Sequence, residues 1–250
     1  MTDLSWLSRT ELLIGSPKLD KLQQSHVLVV GMGGVGSFAA EFICRAGVGK
    51  MTIVDGDVVE TSNRNRQLPA LATTIGQGKA DVMGARLLEI NPDLQLTIKH
   101  EFITPDTAAA LLDETHYDHV VDAIDSLTPK IHLIRAAKTR KLKIVSSMGA
   151  GGKMDPTHLK VVDISKTYNC PFAQFIRIRL RKHGISRGVK VVFSPEVVNK
   201  DSLMFTDGSN YKKSAYGTIS YLPAAFGGVC ASVVIRNLIH DPAHSHKHQV

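Results

Sequence analysis

Gly31-Met32-Gly33-Gly34-Val35-Gly36 follows the apolar run His26–Gly31 and opens a segment of helical periodicity. G-x-G-x-x-G at a strand-to-helix turn lets the backbone approach a phosphate, and the helix N-terminus adds N–H donors and partial positive charge. Asp55 closes the next apolar run, where a carboxylate accepts a ribose hydroxyl. A nucleotide is the expected ligand. The glycine motif alone leaves a dinucleotide and ATP both open.

The residues that follow decide between them. Asp55-Gly56-Asp57 leads into Ser62-Asn63-Arg64-Asn65-Arg66-Gln67, which sets amide and guanidinium side chains directly after the second strand. Gly76-Gln77-Gly78-Lys79 then starts a helix with a lysine, and Asp122-Ala123-Ile124-Asp125-Ser126 ends a later strand with two carboxylates. Arg66 and Lys79 suit a triphosphate, and Asp125 suits Mg²⁺. A hydride-transferring enzyme needs no such clamp.

These groups converge only if the chain folds as its patterning predicts. Apolar runs at His26–Gly31, Met51–Asp55, Leu94–His100, His119–Ile124 and Leu142–Ser146 alternate with helical patterns at Val35–Ala46, Gly78–Ile90, Pro105–Asp113 and Leu127–Arg140. That alternation predicts an α/β fold, a doubly wound, Rossmann-like, mostly parallel sheet with all the candidate residues at its carboxyl edge. After Met148, strands are expected at Leu159–Ile164 and Val189–Ser194, and helices at Pro171–His183 and Pro223–Ile239. Residues 1–150 are read as the nucleotide-binding part. Residues 151–250 are read as a smaller C-terminal α+β elaboration of the same continuous domain, and Pro195–Tyr216 as a surface loop.

GMGGVGS, VDGDVVETSNRNRQ, GQGKA and DAIDS together resemble the adenylating domain of ubiquitin-activating-enzyme-like proteins, over roughly residues 9 to 150. The resemblance implies that a carboxylate attacks the α-phosphate of ATP, giving an acyl-adenylate and pyrophosphate. It implies nucleotide contacts at Gly31, Gly33, Gly34, Gly36, Asp55, Asp57, Ser62, Asn63, Asn65, Arg66, Lys79, Asp125 and Ser126, with Mg²⁺ on Asp125. Arg66, Lys79 and Asp125 would carry the catalysis. It also implies a homodimer in which an N-terminal arginine, for which Arg9 stands in place ahead of a helix, reaches the partner's triphosphate.

Ser147–Thr157, Asp163–Thr167 and the helix bearing Arg177, Arg179, Arg181 and Lys182 are similar to the tRNA threonylcarbamoyladenosine dehydratases. That family activates the threonine carboxylate of a modified adenosine next to the anticodon, and the urea group closes a ring with net loss of water. A tRNA partner is therefore implied, along with a monovalent cation and a sulfur-transfer protein as further companions. On the basic helix, Phe172, Phe175, Ile176 and Leu180 read as the buried stripe. Arg177, Arg179, Arg181 and Lys182 lie off it, toward phosphates. Lys212, Lys213, Tyr168 and Tyr211 are secondary candidates for the same partner.

Composition bounds the alternatives. The chain has 250 residues, 43% hydrophobic, with 30 Lys and Arg against 23 Asp and Glu, a formal charge of +7. That excess permits a polyanionic partner without requiring one. Three cysteines without a C-x-x-C pair exclude a cysteine zinc site and a disulfide scaffold. Cys44 and Cys230 read as core, and Cys170 as the one thiol expected at the surface. The other function to weigh is activation of a ubiquitin-like or sulfur-carrier protein C-terminus, which often uses a thiol relay. No leader pattern opens the chain, and the longest apolar run, Tyr221 to Ile235, is shorter than the roughly 20 residues a spanning helix needs. A cytoplasmic protein without membrane insertion is expected. His240, His244, His246 and His248 read as a polar tail.

Overall fold

Strand β1 (His26–Val30) carries apolar side chains on both faces, Val27 and Val29 toward one core and Leu28 and Val30 toward the other. A strand buried on both sides needs a covered parallel sheet. The computed structural model, which describes residues 3–205 and 214–240, has one. Seven strands lie in the order β3-β2-β1-β4-β5-β7-β6, where β2 is Lys50–Val54, β3 Gln95–Lys99, β4 His119–Asp122, β5 Ile144–Ser147, β6 Lys160–Asp163 and β7 Lys190–Phe193. All pairings are parallel except that of β6 with β7. Two strands after residue 150, β6 and β7, extend the first sheet, so the chain's two parts share one sheet.

Helices cover both faces. On one, α3 (Gly36–Arg45), α4 (Lys79–Ile90) and α8 (Tyr221–Ile239) bury Ala40, Ile43, Met83, Leu87, Phe226 and Val234. On the other, α5 (Thr107–Asp113), α6 (Leu127–Thr139) and α7 (Pro171–Arg181) bury Leu111, Ile131, Ile134, Ile176 and Leu180. α8 is long and apolar enough to cross a membrane by composition, but it packs on α3 and the sheet as a core helix. The apolar pattern does not reveal two N-terminal helices, α1 (Ser8–Ile14) and α2 (Ser16–Gln24), joined at Gly15 with φ +85°. Arg9 therefore lies within α1, exposed, and not ahead of a helix.

Three further expectations are corrected. Phe175 is 55% exposed, and the buried stripe of α7 is Ala173, Ile176 and Leu180. Ile176 and Leu180 keep the expected stripe, Phe172 packs partly buried against the same core, and Ala173 completes it in place of Phe175. Cys170 is 4% exposed, not a surface thiol, because it precedes α7 under the second core. Within the Pro195–Tyr216 stretch, β8 (Leu203–Phe205) and β9 (Ser214–Tyr216) pair as an antiparallel ribbon. Tyr211, Lys212, Lys213, His244, His246 and His248 lie outside the described residues.

Candidate active site

β1, β2 and β3 run outward to one side, and β4 returns to the other flank of β1. The chain order thus reverses between β1 and β4, and a crevice opens above their carboxyl ends. The glycine turn rises from β1 into it. Gly31 has φ +94°, and a Cβ on Gly36 would stand 1.7 Å from the Gly31 carbonyl oxygen, so no side chain fits there. α8 closes the turn from behind, with Pro223 against Gly34 and Gly227 against the Val35 carbonyl.

Asp55 stands at the end of β2 and faces that turn. Its Oδ2 accepts from the Met32 N–H at 2.5 Å and its Oδ1 from the Asp57 N–H at 2.7 Å. Burial pushes its carboxyl pKa above the ordinary value, while Lys79 and these two N–H groups pull the other way. A half-buried carboxylate held by backbone donors is pre-set to accept a ribose hydroxyl. Lys79, first in α4, is 6% exposed; its Nζ lies 2.9 Å from Asp57 Oδ2, and its N–H bonds the Asp57 carbonyl. A buried lysine with one partner keeps two donors for phosphate oxygens.

Arg66 closes the crevice from the segment after β2. Its Nη1 donates to the Ser62 carbonyl at 2.9 Å and to Asn65 Oδ1 at 2.8 Å. Burial draws its guanidinium below the ordinary pKa, and Asp125 and Glu60 draw it back up. Arg66 and Asp125 are therefore close enough to interact electrostatically at the crevice. Asn63 is committed to its own turn and Asn65 to the chain's C-terminal part. Asn63 Oδ1 accepts from the Glu60 N–H and its amide donates to Ser62, while the Asn65 amide donates to the Thr218 carbonyl. The last bond ties the nucleotide segment to the chain's C-terminal part. Ser126 caps α6 next to Asp125.

Sequence reasoning misses two groups. Gln67 packs against Gly33, and its Oε1 is buried without a hydrogen-bond partner among the described residues. An orphaned acceptor beside a glycine turn is a place for a ligand donor; its position straight after Arg66 is the signal that could have found it. The other group is Lys130, whose Nζ sits 2.8 Å from Asp122 Oδ2 with both side chains fully buried. Ser146 Oγ donates to the same oxygen at 2.6 Å, and Asp122 Oδ1 accepts from Ile124 N–H at 3.2 Å. This pair anchors the turn that carries Asp125. A lone lysine inside a helical pattern gives no hint of it.

The basic helix divides. Arg177 points inward, its Nη1 donating to the Thr167 carbonyl at 2.7 Å and bonding the Thr167 hydroxyl. Arg179, Arg181 and Lys182 are exposed. Burial pushes the Cys44 and Cys230 thiols up to about 12, which makes both inert.

The fold and crevice define a doubly wound nucleotide-binding α/β protein whose site is built for polyphosphate. The model of the ThiF family matches residues 7–250, and the chain belongs to that family. It is 41% identical over 245 residues to the tRNA threonylcarbamoyladenosine dehydratase of Bacillus subtilis, covering 95% of this chain and 96% of that one. It is 36% identical to the enzyme of the same name from Escherichia coli, covering 94% and 95%. The crystal structure of E. coli tRNA N6-threonylcarbamoyladenosine dehydratase in complex with ATP superposes with a TM-score of 0.87 at 35% identity, covering 98% of this chain and 99% of that one.

Proposed function

We propose that this protein is an ATP-dependent adenylating enzyme that dehydrates threonylcarbamoyladenosine in tRNA. The observation that carries the reading is the convergence, at one switch-point crevice, of the glycine turn, half-buried Asp55, buried Lys79 and the electrostatically interacting pair Arg66 and Asp125. In the first step a carboxylate oxygen of the threonine moiety attacks the α-phosphorus, and the bond to the bridging oxygen breaks to release pyrophosphate. Lys79 and Arg66 hold the charge that develops on the phosphates. In the second step the urea group of the same nucleoside attacks the activated carbonyl, closes a five-membered ring and expels AMP, losing its proton to solvent. The nucleophile is already in the substrate, so its effective concentration is high.

Asp125 would hold Mg²⁺ together with ATP oxygens. Among the described residues no group of three or more His, Cys, Asp or Glu forms a metal site. One carboxylate beside a polyphosphate is the donor set that Mg²⁺ completes with phosphate oxygens and water. When bound, the ion neutralises charge on the leaving pyrophosphate. A homodimer is supported by α1, which leaves Leu12 and Leu13 83% and 84% exposed beside Arg9. Leu12→Asp is expected to shift the protein to monomer in light scattering and to slow adenylation if Arg9 completes the partner's site.

The test of the reaction is incubation of the protein with ATP and tRNA carrying threonylcarbamoyladenosine, followed by digestion and mass analysis of the nucleoside. Loss of one water with stoichiometric AMP is expected. An unmodified nucleoside, with adenylation of a diglycine protein C-terminus, would select the activator reading instead. The buried cysteines weigh against a thioester relay. Cys170→Ala is expected to retain dehydration within about threefold, an effect under ~1 kcal/mol, read in the same assay. A folded but inactive Cys170→Ala would reverse the assignment.

A further inference from the structure

We propose that the cleft between α6 and α7 is a phosphodiester subsite that holds the tRNA backbone beside the adenylation crevice; this rests on the tRNA reading above. The cleft encloses about 360 Å³ and is lined by Thr128, Ile131 and His132 of α6 and by Arg179, Lys182 and His183 at the end of α7. That volume lies within the roughly 300–1,000 Å³ of small-ligand sites. Ile131 is its buried apolar floor. The other five side chains can all donate to an anion, and Arg179 presents the planar fork that matches two phosphate oxygens. Arg179 Nη1 lies 3.4 Å from Thr128 Oγ1, so the two walls meet at this pair.

The charge around the cleft is one-sided. Burial lowers the His132 pKa first, and Arg135 and His183 lower it further; Asp106, at the head of α5, is the acid that opposes them. His132 thus offers a neutral N–H in a positive field, which an anion relieves. The position of the cleft matters as much as its charge. Asp125 and Ser126 lead directly into α6, and Thr128 stands in its first turn. The cleft therefore sits one helical turn from the carboxylate assigned to the metal, on the sheet face opposite α3 and the glycine turn. A strand that delivers a nucleoside carboxylate to the crevice carries its own phosphates across this opening. Inward-turned Arg177 is not part of the surface.

The experiment is binding of a fluorescent tRNA transcript to the full-length protein across a salt series from about 50 to about 200 mM. With Arg179→Ala and Lys182→Ala combined, the slope of log affinity against log salt should fall by roughly 1.4–1.8, at 0.7–0.9 per lost phosphate contact. ATP affinity should stay unchanged, and Arg179→Lys, which keeps the charge, should keep the slope. Lys18→Ala with Lys21→Ala removes the same charge from exposed α2 and should leave the slope as in the parent. Added tRNA should also raise the His132 pKa, followed by NMR of the ring. An unchanged slope, or an equal loss in the α2 control, would overturn the subsite. So would weaker ATP binding without weaker tRNA binding, since the cleft would then serve the nucleotide's own phosphates. A parent protein that binds tRNA with this slope but leaves the nucleoside intact would overturn the reaction and not the cleft. A parent that binds no tRNA would overturn both.

Discussion

Asp125→Ala and Arg66→Ala are each expected to lower ATP-dependent dehydration by hundreds-fold while leaving the protein folded. Removing one charge partner of a transition state in a water-poor site costs on the order of 3–4 kcal/mol. Asp125 is exposed, so truncating it removes little packing. Arg66 hydrogen-bonds its own segment, at Ser62 and Asn65, so its loss is expected to disturb chiefly that loop. The measurement is single-turnover loss of water from the tRNA nucleoside, with thermal unfolding as the control. Pyrophosphate release should fall in parallel, because both groups act before the ring closes. Near-parental turnover in both variants would sink the site assignment.

Lys130→Met should lower stability by about 3–5 kcal/mol, the range for removing one partner of a buried ion pair. Asp122 and Lys130 are both fully buried, so Asp122 would be left charged without a counter-ion. The second variant, Lys130→Met with Asp122→Asn, removes the stranded charge and should recover at least half of the loss. Urea unfolding reads both numbers from the shift in midpoint at constant slope. A loss below about 1 kcal/mol in the single variant, or no recovery in the double, would show that the pair does not hold this part of the core. The same substitution tests the active site. Asp122 Oδ1 bonds the Ile124 N–H, so loosening it should slow turnover more than it weakens ATP binding.

The order of the elements and the location of the crevice were legible in the linear chain because both rest on local signals. A run such as His26–Val30 has a period and a length, and a glycine motif has a spacing. A parallel sheet then brings every strand's end to one edge, whatever the side chains do. Asp55, Lys79, Arg66 and Asp125 could be named for that reason. Their partners could not. That Lys79 leans on Asp57, and that Asn65 bonds Thr218, depends on segments far apart in the chain.

The chain's residues by themselves determined the fold class and which sheet edge carries the candidate nucleotide residues, since composition, period and motif spacing are properties of neighbours in sequence. Tertiary structure alone decided which polar groups are spent and which are available. It buried Cys170 and turned Arg177 inward onto Thr167, because α7 enters its core with Ala173, Ile176 and Leu180, with Phe172 partly buried beside them and Phe175 turned out. It placed a lysine, Lys130, wholly inside, where Asp122 and Ser146 compensate a charge that water would otherwise solvate. It also set Arg179 against Thr128 to make a basic cleft beside Asp125. Burial and long-range pairing are set by how helices lie on the sheet, and a one-dimensional pattern does not carry that information.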